Sequence, residues 1–339
     1  MTKTELTEWL AVRTRESYKP RYRFLTRRER LIYKNILLGF VRFEETACVD
    51  LRALPEEIRN ALNALLLDVP IIFYADTKGF ILYDARTEVL LKYTLPPDEV
   101  ARIAEIMDAA LAHLRKKCEG KSELEKLIAV HNSLVDQVVY DLTDELPVHE
   151  SHCVFLHRKA VCDGISKAAV VMFGALGIDS FLLTGEAHSS DYTPGENIRH
   201  GWNMVRFDGE FYHMDITFDN NLSQGKRVYS YNYFNLTDEQ ISADHEWDFR
   251  RIPSGTAKVD YFTLTGRIFS DEDALGDFFL QRLAAGERCF SFRFGGMLSA
   301  TDTETAAALF TKQLRRVGCP EGFTIGRYKY TDSYCLTIG

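Results

Sequence analysis

Residues 149–169 read HESHCVFLHRKAVCDGISKAA, which puts three histidines and two cysteines into fourteen positions. Two kinds of chemistry use such residues. In the first, His149-x-x-His152 or His152-x4-His157, with Cys153 and Cys162, holds zinc in a loop. The spacing is irregular and no ribbon-type cysteine pair accompanies it, so no metal is expected. In the second, Cys162 is a nucleophile. It stands one residue before a helix expected to begin at Asp163 or Gly164. Free N–H groups and partial positive charge at a helix start stabilise a thiolate. Gly164, lacking a side chain, is read as room for a substrate backbone. The rest of the stretch is then the wall of a cleft just upstream. Taken alone, Cys162 reads as a buried structural thiol.

A thiol nucleophile needs a base, and the base needs a group to orient it. HGWNMVRFDGEFYHMDITF, from residue 200, supplies both. Asp-Gly between two alternating runs signals a two-residue hairpin turn. With Asp208 and Gly209 in the turn, Phe207 faces Glu210 and Trp202 falls opposite Asp215. His200, Trp202 and Asp215 then share one face by the period of two. His200 is the diagonal neighbour of Asp215, within side-chain reach. An indole beside such a pair shields it from water and strengthens its hydrogen bond. His213 alternates onto the same face and reads as a neighbour in the sheet. Asp219 is a weaker alternative to Asp215. His131 falls on the apolar stripe of a helix and reads as a core histidine with a local partner.

Three segments together, AVCDGISKAAVVMFGALGI, HGWNMVRFDGEFYHMDITFD and YFNLTDEQISADHEWD, resemble the transglutaminase-like superfamily in its bacterial form, over residues of about 120–250. The resemblance implies an α+β fold with a papain-like core, in which a Cys-bearing helix packs on an antiparallel sheet. It maps the family's catalytic cysteine, histidine and aspartate onto Cys162, His200 and Asp215. Relatives of this kind attack an amide carbon with a thiolate and pass through a thioester, which water or an amine resolves. One oxyanion donor is expected from the backbone N–H of Cys162. Tyr140, read as ending the preceding helix, is favoured over His157 as the second, and Trp202 is placed on the cleft side. DNNLSQG, residues 219–225, reads as a turn rather than a calcium loop, which needs more acidic ligands. No cofactor is expected.

The elements that must position these residues are legible in outline. LPEEIRNALNALL reads as a helix, VPIIFYA and GFILYDARTEVLLKYTL as strands. Residues 96–117 read as a helix with Val100, Ile103, Met107, Leu111 and Leu114 on one stripe. Ser122 and Glu125 form a capping box for the next. Residues 141–161 read as a loop. Beyond 254 the order strand, helix, strand, helix, strand, strand suggests a small α/β sandwich. Three regions are therefore expected: a mixed α/β segment at 1–117, the transglutaminase-like core at 118–254, and the C-terminal sandwich at 255–339.

Composition bounds the rest. The net charge is −8, but residues 1–34 carry ten Lys/Arg against four Glu. That basic segment reads as a solvated helical face, and the acidic remainder argues against nucleic acid as a partner. No apolar run approaches the 20 or so residues that span a bilayer, and the first residues lack the apolar core of a signal peptide. Seven scattered cysteines without a CxxC suggest a reducing compartment, so a cytoplasmic location is expected, with no membrane partner. Oligomeric state is not legible. The expected function is a thiol-dependent amide hydrolase, favoured over an acyltransferase because no calcium control is evident, acting on a peptide or protein. The alternative is a non-catalytic module that binds a protein or cell-wall-related partner in the same cleft.

Overall fold

Asp208 and Gly209 both take positive φ, 49° and 84°, the conformation a two-residue turn needs to match the twist of its strands. Phe207 therefore pairs with Glu210, and the register runs back through Met204–His213 to Asn203–Met214. This hairpin, Asn197–Phe207 and Glu210–Met214, lies inside a five-stranded antiparallel sheet. Ser180–His188 flanks it on one side, with His245–Trp247 at that edge, and Phe234–Leu236 forms the other edge. The computed structural model describes residues 1–143, 145–188, 197–223, 229–256, 259–295, 303–319, 322–328 and 333–338.

The helix Cys162–Ala175 packs against strands Ser180–His188 and Asn197–Phe207 of this sheet. It is buried nearly all round, and Leu176 and Gly177, the latter at φ +75°, end it. The helices Pro97–Lys117 and Glu123–Gln137 form as their stripes and caps predict, with Ser122 Oγ accepting from Glu125 N. The α+β fold, with a Cys-bearing helix on an antiparallel sheet, is thus the observed one. One contiguous apolar core runs from Leu6 to Phe262 and includes the helix that begins at Cys162. A separate core, Leu275 to Ile338, lies under the C-terminal sheet. There Ile268–Phe269, Cys289–Phe294, Ser333–Ile338 and Phe323–Tyr328 lie side by side in that order, with helices Glu272–Ala284 and Thr303–Arg316 between strands in the chain.

Four local expectations are corrected. Residues 69–74 of the apolar run VPIIFYA are buried but form turns, and the strand begins at Ala75. An apolar run without periodicity does not distinguish a strand from a buried turn. Residues 141–161 are not all loop: Ser151–His157 is a helix, and Lys159–Ala160 pairs in parallel with Val139–Tyr140. Tyr140 therefore sits in a short strand, not at a helix end. The basic N-terminal segment is not simply a solvated face, because Arg21 turns inward to Asp68 and to the Leu182 carbonyl, at 3.4 and 2.7 Å. Among the described residues no helix is long and apolar enough to cross a membrane.

Candidate active site

Cys162 is the first residue of its helix rather than the residue before it. Its preceding residue, Val161, is extended and offers no side-chain cap, so the first-turn N–H groups remain open beside the sulfur. The Cys162 side chain is partly exposed. Gly164 does not leave room for substrate. A Cβ there would lie 2.2 Å from the Val148 carbonyl oxygen and 2.9 Å from Ala160 Cβ. The glycine instead lets the helix start press onto residues 148 and 160, which seats Cys162.

The hairpin delivers His200 to this helix start. His200 Nε2 lies 2.7 Å from Asp215 Oδ2, and Cys162 is near enough to the same imidazole to favour its charged form. Since Nε2 is taken, Nδ1 is the nitrogen left for sulfur. Asp215 falls one residue beyond its strand, where the chain turns into helix Ile216–Ser223. Its Oδ1 accepts from Phe218 N at 3.0 Å and its own N–H donates to the Tyr233 carbonyl at 2.9 Å. The carboxylate is thus fixed from both ends. Burial opposes charge on His200, but the Asp215 charge and hydrogen bond, helped by Cys162, outweigh it and raise the imidazole to about 10. Burial likewise opposes charge on Asp215, yet His200 and His245 hold its carboxyl well below the ordinary range.

A second histidine shares that carboxylate. His245 Nε2 lies 3.1 Å from Asp215 Oδ2, and its Nδ1 lies 2.5 Å from Asp244 Oδ1. Asp244 Oδ2 accepts from the Tyr233 hydroxyl at 2.6 Å. His245 comes from the edge strand, with Ser180–His188 between it and His200. The rings still meet, 5.5 Å apart, because the intervening positions are Gly185 and Ala187, paired with His200 and His245 respectively. Nothing in the sequence alone points to a role for His245. Its signal was the DHEW of residues 244–247, uninterpretable until the strand order is known.

Trp202 is wholly buried. It stacks on His200 at 6.0 Å and meets His245 edge-on at 4.8 Å, so it is a wall inside the protein and not a surface of an open cleft. Its indole N–H donates to His213 Nδ1 at 3.0 Å, and His213 Nε2 faces Asp238 at 2.8 Å. An acceptor at Nδ1 requires the neutral ring with its proton on Nε2, and burial accordingly lowers His213. Asp219 is committed elsewhere: it holds His131 at 3.1 Å, Ser230 Oγ at 2.6 Å and Asn232 N at 3.0 Å. Within DNNLSQG, residues 219–223 are helical; the side chains of 221–223 and all of 224–225 lie outside what is described. Tyr140 pairs with Ala160, two residues before Cys162, and is half-buried. His157 is exposed at the end of its helix.

The zinc set is not brought together. His149 is exposed beside Asp163 at 3.3 Å, and His152 is buried against the Phe73 ring at 4.4 Å. Cys153 is buried in a cluster with Val148 and Val161. Among the described residues, the group whose ligand atoms lie close enough for a metal is His200, Asp215 and His245, all within 4.8 Å. Those atoms are already engaged, two N–H donors on one carboxylate oxygen, which is the pattern of a hydrogen-bonded cluster.

Residues 112–216 match the family model of the transglutaminase-like superfamily. Cys162, His200 and Asp215 all fall inside that stretch, and His245 lies beyond it. Among solved structures, the chain is similar to one titled "a Putative Cysteine Protease from Cytophaga hutchinsonii", at 13% identity and a TM-score of 0.28, covering 42% of this chain and 62% of that one. It is also similar to a structure titled as a TGase, at 15% identity and a TM-score of 0.30, covering 51% and 50%. The chain spans less than two thirds of the length of either. No curated protein matches it.

Proposed function

We propose that this protein is a thiol-dependent amide hydrolase acting on a peptide or protein, with Cys162 as nucleophile, His200 as acid and base, and Asp215 as orienter. One observation carries the reading: the partly exposed sulfur at a helix start, a buried imidazole near enough to feel it, and a buried carboxylate 2.7 Å behind that imidazole. The thiolate attacks the amide carbon, and the carbonyl electrons move to oxygen. The N–H of Cys162 is one donor for that oxyanion and Tyr140 is the proposed second. As the intermediate collapses, the C–N bond breaks and His200 gives its proton to the departing amine. Water, deprotonated by His200, then attacks the thioester and releases the acid and the thiol. Trp202 excludes water from the inner flank of the His200–Asp215 pair, which strengthens their interaction. Water is preferred to an amine as acceptor because no calcium control is evident; of the loops expected to flank an open cleft, 189–196 lies outside the described residues.

The test has two parts. Cys162 should alkylate with iodoacetamide faster at neutral pH than the other six cysteines, and His200→Ala should abolish the advantage. Equal labelling would favour a binding module. A mixture of glutamine- and asparagine-containing peptides, with and without a primary amine, should then yield free acids or cleaved peptides in both cases by mass spectrometry, and none with Cys162→Ala. Dominant amine adducts would make the protein an acyltransferase instead.

A further inference from the structure

His245 is the feature that a Cys–His–Asp site does not require. Both of its ring nitrogens face carboxylate oxygens, Asp215 Oδ2 at 3.1 Å and Asp244 Oδ1 at 2.5 Å. An ionised carboxylate only accepts, so each nitrogen must carry a proton, and the ring is an imidazolium. It is fully enclosed, by Trp202 at 4.8 Å, Phe218 at 5.1 Å and Tyr233 at 5.7 Å between ring centroids. The titratable groups around it are Asp215, Asp244, His200, His213 and the Tyr233 hydroxyl, with Cys162 beyond His200. A buried cation in that position is maintained by its two carboxylates, and Tyr233 holds the second of them in place at 2.6 Å.

We propose that His245 is a positioning residue of the thiol site: a fixed second imidazolium that clamps Asp215 Oδ2 in line with His200 and shares its charge. Resting on the thiol-enzyme reading, this gives the site a setting that Asp215 alone would not provide. Asp215 by itself would grip the His200 proton strongly and make that imidazolium a reluctant donor to a leaving amine. The positive charge on His245 loosens the grip, and it also favours negative charge on the sulfur beyond His200. Burial opposes a cation at His245, but the hydrogen bonds to Asp215 and Asp244 raise it all the same.

The experiment compares wild type with His245→Gln, which can still donate to Asp215 but carries no charge. A unit charge removed from 5–10 Å away, at an effective dielectric constant of about 20, displaces a titration by about one to two units. The rate of Cys162 alkylation by iodoacetamide should therefore set in about one pH unit higher in His245→Gln, with the plateau rate retained within a few-fold. A purely structural His245 would change the melting temperature and leave the onset where it was, and that outcome overturns the proposal. A measurement on the wild type covers the case in which the variant does not fold. In protein labelled with 15N-histidine, at least two of the nine imidazoles should keep both ring protons above pH 8, and His245 must be one. A neutral His245 at that pH overturns the proposal while leaving the reactivity of Cys162, and so the thiol-enzyme reading, intact. A wild-type Cys162 no more reactive than the other cysteines would instead sink both.

Discussion

A single side chain's absence decides how Cys162 is held. Gly164 lies so close to the Val148 carbonyl that a methyl group would stand 2.2 Å from its oxygen, and that oxygen already accepts from Val161 N at 3.1 Å. Two effects oppose each other in Gly164→Ala. Helix propensity favours alanine by about 1 kcal/mol, whereas overpacking costs about 1–3 kcal/mol. The obstructing atom is backbone and cannot rotate away, so the clash wins. The expected outcome is a net loss of about 1–2 kcal/mol in urea unfolding, and alkylation of Cys162 slowed on the order of tenfold, since small displacements at a reacting centre are expensive. Unchanged stability and labelling would show that residue 148 yields freely. At this scale the sequence was informative where a local rule applied. Cys162 was legible as a helix-start thiol, and His200 with Asp215 as a pair, because an Asp-Gly turn fixes register residue by residue. The meaning of Gly164 was not legible, since what fills the space over a glycine comes from a segment sixteen residues away. His245 was illegible for the same reason at longer range.

The helix Ser151–His157 shows what a short element conceals. Its N-cap, Glu150, makes no side-chain cap bond, and it ends at Arg158 in the left-handed region, φ 55°, where a glycine would have announced the stop. Without those signals HESHCVFLHR reads as loop. The helix separates the histidines that looked like ligands: His152 goes inside and His157 outside. His152 is buried against Phe73, with Nδ1 lacking any partner. Burial, with smaller contributions from His157 and Lys167, lowers it to about 4 from an ordinary 6.5. The unfolded chain therefore takes up a proton between pH 6.5 and 4 that the folded chain refuses. Stability from this group is complete above 6.5 and is lost as pH falls toward 4, by about 2–3 kcal/mol at pH 4.5. His152→Phe cannot take up that proton. Urea unfolding at pH 7.5 and 4.5 should show the wild type losing more between the two values than the variant, by about that amount. Equal losses in both proteins would mean that His152 is solvated and titrates normally.

Among the described residues the two largest apolar cores, beside a smaller one around Phe181 and Trp202, are joined by specific contacts. The first runs from Leu6 to Phe262, so the N-terminal helices and the helix that begins at Cys162 are stabilised together, with Gly174 packed against the Glu16 backbone. The second is aromatic, built from Phe279, Phe290, Phe292 and Phe310 with Tyr334. Between them lie the Arg293–Asp260 ion pair at 2.8 Å and Ser333 donating to Asn232 at 2.8 Å. Asn232 adjoins Tyr233, which supports Asp244, so the C-terminal strand touches the chain that leads back to His245. The order of C-terminal elements was legible from composition and punctuation. These junction contacts were not, because they pair residues separated by 33 and 101 positions in sequence. The chain offers a clean probe of how strongly the cores are coupled. Its three tryptophans, Trp9, Trp202 and Trp247, all precede the C-terminal region, so tryptophan fluorescence follows the part of the chain before that region and far-ultraviolet circular dichroism follows the whole. Phe292→Ala empties the centre of the second core and should cost it about 3–5 kcal/mol. The named junction contacts are polar, and Cys162, His200, Asp215 and His245 all precede the C-terminal core. The dichroism transition should therefore split, with an early phase at lower urea, while the fluorescence midpoint and the rate of Cys162 alkylation stay where they are in the wild type. If both probes move together, unfolding is one cooperative event, and the C-terminal region supports the site through Asn232 and Tyr233 rather than standing beside it.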